Sequence, residues 1–115
     1  MEPQEKAMGV YEQIVNAESS SPADLPELVK GLIACDESGQ YLCSSARYLN
    51  ALNAEGYAPL INQLVASAID RDREHKYISQ LLPSLWGDDF MEKADSLRLN
   101  DNNFRRIFKR IYPGK

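Results

Sequence analysis

The single histidine, His75, lies in a charged run with Asp70, Asp72 and Glu74. An imidazole beside carboxylates can serve as a general base or a metal ligand, because the carboxylate orients one ring nitrogen and leaves the other to accept a proton or a cation. Asp72 and His75 are three positions apart and would share a face of a helix. One histidine with scattered acids supplies too few ligands at metal-site spacing, so the run 70–76 reads as a solvated, charged helical segment.

The other reactive side chains point to packing. Cys35 and Cys43 lie eight residues apart and form no CxxC pair, so they are read as two buried thiols, and a reducing compartment follows. Ser44 and Ser45 sit beside Cys43 without the glycine-flanked turn that presents a nucleophilic serine, and are read as small helix-packing residues. Gly9, Gly31, Gly39, Gly56, Gly87 and Gly114 are all isolated, so no phosphate-cradling loop is present. The chain is therefore expected to be no enzyme and to take no cofactor or metal.

A charge imbalance is the main clue to a partner. From Arg98 onward the basic residues are Arg98, Arg105, Arg106, Lys109, Arg110 and Lys115, and Asp101 is the one acid. That tail carries +5 on a chain of net charge −4, leaving −9 on the rest. A pI of about 5.0 argues against a protein coated with nucleic acid over most of its surface.

The tail also has organised spacing. Phe90, Met91, Ala94 and Leu97 recur at helical intervals, with Asp88 or Asp89 placed to cap the helix start. Arg98, Leu99, Asn100, Asp101 and Asn102 read as a turn. Phe104, Ile107, Phe108 and Ile111 then form a second apolar stripe that ends near Pro113 and Gly114. Small Ala94, with Leu97, Leu99, Phe104 and Ile107 as packing residues, resembles helix-turn-helix spacing within a hairpin over residues 88–112.

The elements that would position this hairpin are also helical. A first helix is expected over 3–15, with Ala7, Met8, Val10, Tyr11, Ile14 and Val15 on its apolar face. Asp24 followed by Glu27 resembles a capping box opening a second helix, which buries Leu25, Leu28, Val29, Leu32 and Ile33 and stops at Ser38–Gly39. A third, over 40–53, turns Leu42, Cys43, Ala46, Leu49 and Leu52 inward. A fourth starts near Pro59 and carries Leu60, Ile61, Leu64, Val65, Ala68 and Ile69. Ile78, Leu81, Leu82, Leu85 and Trp86 form a further apolar group, which starts nine residues after Ile69 and so about half a turn out of phase with it.

No stretch alternates like a strand, so the predicted fold is all-α: one domain over 1–115, an irregular orthogonal bundle of six to seven short helices. At 115 residues such a chain can bury roughly two thirds of its unfolded surface without a metal or disulfide. The start, Met1 to Lys6, lacks the basic and apolar regions of a secretory signal, and no apolar run is long enough to span a bilayer. A cytoplasmic protein without membrane contact is expected.

By elimination, the function expected is a small interaction or regulatory module that binds a macromolecule, with protein the favoured class. The residues assigned to binding are Arg98, Asn102, Asn103, Arg105, Arg106, Lys109 and Arg110, joined by the boundary aromatics Trp86 and Tyr112. A homodimer is a further expectation. The alternative is nucleic-acid binding, with residues 102–112 as a recognition helix whose arginines and lysine meet phosphates while Asn102 and Asn103 reach base edges.

Overall fold

The computed structural model describes residues 3–114; Met1, Glu2 and Lys115 lie outside the described residues. It is 77% helix and without strands. The described residues form seven α-helices: α1 (Pro3–Ser20), α2 (Leu25–Cys35), α3 (Gln40–Asn53), α4 (Ala58–Arg71), α5 (Leu81–Trp86), α6 (Ala94–Asn100) and α7 (Asn102–Ile111). Single 3-10 turns, Pro22–Asp24 and Ile78–Gln80, lead into α2 and α5.

The helices stack as pairs. α1 packs on α2, α3 on α4 and α5 on α7, so that α1, α3 and α5 make one row and α2, α4 and α7 the other. α4 touches both α2 and α7. The α1–α2 hairpin therefore lies on one side of the α3–α4 pair and α7 on the other. Asn103 Nδ2 donates to the Asn62 carbonyl at 3.2 Å, and Arg106 meets Asp70 at 2.7 Å. Those two contacts make α7 run in the same direction as α4.

Apolar periodicity explains which faces meet. Leu25, Val29 and Leu32 of α2 are buried, as are Leu42, Cys43, Ala46 and Leu49 of α3 and Ile61, Leu64, Val65, Ala68 and Ile69 of α4. Each set recurs at three or four residues, the spacing that lines one side of a helix. Ser45 is also fully buried, in the small-residue packing role expected of it. Leu52 and Met8, expected inside, are 49% and 43% exposed, because neither has a neighbouring helix over its side of α3 or α1.

Two hairpin links are built alike. Asp36 is fully buried; its Oδ1 accepts the Ser38 and Gly39 amides, and its Oδ2 accepts those of Tyr41 and Leu42 at 2.8 and 2.9 Å. Asp72, 3% exposed, accepts the Lys76, Tyr77 and Ile78 amides at 3.1, 2.6 and 2.8 Å. The first-turn amides of a helix have no partner within it, and a carboxylate satisfies both their hydrogen-bonding capacity and their partial positive charge. Gly39 has φ +86, and a Cβ there would lie 3.3 Å from the Asp72 Cβ, so the two links touch where a side chain would not fit. Arg71 ties them further, donating to the carbonyls of Ile33 and Asp36.

Several local expectations are corrected. α1 continues to Ser20, since the serines after Val15 accept the helical backbone and Ser19 and Ser20 bond back to the Asn16 carbonyl. Asp24 makes no capping bond, because the 3-10 turn holds it at helical angles (φ −82, ψ −11) and it continues the coil instead of facing back on it. The run 70–76 is no charged helix: α4 stops at Arg71, Asp72 turns into the interior, and His75 takes a left-handed φ of 60.

Candidate partner-binding surface

The C-terminal hairpin is hinged on Asp101. Helix α6 begins at Ala94, later than its apolar spacing suggests, because residues 87–94 form successive tight turns. Gly87 (φ +95) opens them, and the Phe90 and Lys93 amides donate to the Gly87 and Phe90 carbonyls at 3.1 and 3.2 Å. Neither Asp88 nor Asp89 caps it; Lys93 holds that position. At the other end α6 runs through Asn100, so the expected five-residue turn is one residue long. Asp101 is extended (φ −130, ψ 107), its Oδ1 accepts the Phe104 amide at 3.1 Å, and its Oδ2 accepts Trp86 Nε1 at 2.9 Å. One carboxylate thus caps α7 and fixes its start against the end of α5.

An aromatic row follows. The Phe104 ring is met edge-on by Trp86 at 5.2 Å and Phe90 at 6.4 Å, and stacks on Phe108 at 5.4 Å; Phe108 meets Tyr112 at 5.0 Å. The Arg98 guanidinium lies 5.1 Å from the Phe108 centroid while pairing with Asp95 at 2.7 Å, so its charge sits over the ring's electron-rich face.

Between α6 and α7 this leaves an open groove of about 470 Å³. Phe108 lies deepest, 2% exposed, with Tyr112 beside it. Arg98, Arg105 and Lys109 supply positive charge around it, and Leu99 and Pro113 supply apolar edges. Leu99 is 87% exposed, the most exposed large apolar side chain among the described residues. Apolar surface beside cations suits a ligand that combines carboxylates with an apolar side chain.

The residues assigned from sequence separate into two groups. Arg98, Arg105, Lys109 and Tyr112 come together at the groove, and Asn102 accepts a bond from Arg105. Asn103 and Arg106 instead turn toward α4, Trp86 is taken up by Asp101 and Phe104, and Arg110 is exposed and donates to the Arg106 carbonyl at 3.2 Å. The residue missed is Leu99, read as a packing position. Once α6 is known to continue to Asn100 the signal is plain: Leu99 follows Leu97 by two residues, about 200° around the helix, and faces away from the core.

No family model, curated protein or solved structure matches the chain. The functional reading rests on this geometry alone.

The residues that suggested chemistry are dispersed. Asp70 pairs with Arg106, the Asp72 carboxylate is taken by backbone amides, and Glu74 pairs with Lys76 at 2.8 Å, an interaction that raises the Lys76 pKa. His75 is left on the link between α4 and α5. Cys35 and Cys43 are free thiols, but of the two expected to be buried only Cys43 is, and Cys35 is partly exposed; burial, followed by the negative charges of Asp72 and Asp36, pushes Cys43 up to about 12. Among the described residues, no helix is long and apolar enough to cross a membrane.

Proposed function

We propose that the chain is a non-catalytic helical interaction module whose α6–α7 groove binds an acidic segment of a protein partner. The observation that carries the reading is the placement of Leu99, 87% exposed, on a groove based on Phe108 and edged by Arg98, Arg105 and Lys109. Exposing a leucine in water loses the stabilisation of about 1.5–3 kcal/mol that full burial would provide. A partner covering it recovers part of that, and the cations select acidic residues around the contact. A groove of about 470 Å³ accepts a few side chains of a peptide. A short amphipathic helix with one apolar anchor and flanking glutamates fits that description. The protein would act as an adaptor or assembly component in the cytoplasm.

The nucleic-acid reading has less support. Of the residues it needs on the duplex, Arg106 is paired with Asp70 and Asn103 with the Asn62 carbonyl, both on α4. The −9 body would oppose the approach of phosphate as well.

Titration of a fluorescent helical peptide carrying a leucine flanked by glutamates tests the reading. Saturable binding that weakens at least tenfold in Leu99→Ser and in Arg105→Ala/Lys109→Ala is expected. Absence of binding near 50 mM salt, or equal binding by the variants, would overturn it.

A further inference from the structure

The two ends of the stack carry complementary surfaces. At the α7 end, Leu99 projects as a knob with Arg105 and Lys109 near it. At the other end, a groove of about 440 Å³ lies between α1 and α2. Ala17 and Leu28 line it with apolar surface, and exposed Asp24 and Glu27 add two carboxylates. The charge there is one-sided, since no Lys or Arg occurs between Lys6 and Lys30, while Glu12, Glu18, Asp24 and Glu27 do.

We infer that the chain self-associates head to tail, with Leu99 of one copy seated in the α1–α2 groove of the next. This rests on the α6–α7 surface being the interaction surface, and it names a second copy as the acidic partner. Two observations support that occupant. The knob is convex and apolar where the groove is concave and partly apolar, which is the shape match that two facing grooves would lack. Cations accompany the knob and carboxylates accompany the groove, so the encounter is steered and the reverse pairing, like end to like end, is repelled. Because the two patches differ, the contact is heterologous: each dimer keeps one unfilled groove and one unpaired knob, and assembly proceeds beyond the dimer.

The test is sedimentation equilibrium on the full chain over a hundredfold concentration range, at about 50 and 500 mM salt. A mean mass that rises above twice 13.0 kDa with concentration and returns toward 13.0 kDa at high salt is expected. Leu99→Glu retains the groove and loses the knob; Leu28→Glu/Ala17→Glu retains the knob and closes the groove. Each alone should remain monomeric, and their mixture should give a one-to-one dimer and nothing larger. Circular dichroism confirms that both remain helical, and Asp24→Ala/Glu27→Ala replaces the groove variant should Ala17→Glu unfold it. A wild-type mass constant at 13.0 kDa, a mass that stops at two copies, or a mixture that stays monomeric would overturn the inference. If the monomer still binds the acidic peptide, only the second-copy assignment falls; if it binds neither, the reading of the groove falls with it.

Discussion

Asp36 and Asp72 do the same work 36 residues apart: each is a buried carboxylate that accepts the amides of the residues five and six positions ahead, Tyr41 and Leu42 in one link, Tyr77 and Ile78 in the other. Each link starts the next helix and reverses the chain, and Gly39 and Arg71 lock the two together. These two links join the three stacked pairs, the first between α2 and α3 and the second between α4 and α5.

Replacing Asp36 or Asp72 with Ala leaves several buried amides without an acceptor. The expected loss is about 3 kcal/mol for each, on the scale of hydrogen bonds to charged groups with the added cost of unsatisfied donors. Urea denaturation should show a lower midpoint with an unchanged slope; a shift under about 0.5 kcal/mol would mean that water replaces the carboxylate.

Gly39→Ala should destabilise by about 1–2 kcal/mol, since alanine disfavours φ +86 and its Cβ would crowd Asp72. Gly31→Ala, on a helix with nothing near the added methyl, serves as control and should be neutral or stabilising by up to about 1 kcal/mol. Thermal melts of the pair check the contrast.

The two thiols should differ in reactivity. Cys35 is partly exposed and Cys43 3% exposed, so a thiol reagent at pH 8 should label Cys35 promptly and Cys43 only as the protein opens. Burial pushes the folded Cys43 pKa up to about 12, above the ordinary thiol value of 9.0, so above pH 9.0 the unfolded chain gives up the proton first. Its contribution is fully present below about pH 9 and declines as pH rises toward 12. Cys43→Ala, compared with wild type in urea melts at pH 8 and pH 10, should remove that decline.

Phe104→Ala should cost about 3–5 kcal/mol, because the ring is fully buried where Trp86, Phe90 and Phe108 meet. Leu99→Ser, by contrast, should leave stability within about 0.5 kcal/mol while weakening binding of the acidic peptide at least tenfold. Tryptophan fluorescence follows both, since Trp86 is the only tryptophan and reports on the Asp101 contact at the hairpin hinge.

Spacing and composition alone determined the all-helical fold, the limits of α3 and, to within a residue, of α7, most of the inward faces of α2 to α4 and the basic character of the C-terminal hairpin. These follow from local physics: apolar side chains every three or four residues demand one buried face, and charge is additive along a chain. Tertiary structure decided what periodicity does not encode. Asp72 reads in sequence as one more solvated charge, yet it is buried because the amides of its own link surround it, and those amides converge only after α4 and α5 have packed. Arg98 to Asn102 reads as a turn from its polar composition. Asp101 makes the whole turn alone because Trp86, fifteen residues earlier, comes within hydrogen-bonding reach of its carboxylate. With α6 extended by that contact, Leu99 is carried to the outside; Arg106, on the following helix, is turned to Asp70, while Arg105 and Lys109 face the groove. Which of the basic residues from Arg98 to Arg110 look outward depends on which helix α7 lies against, a long-range packing choice that no local pattern of charges contains.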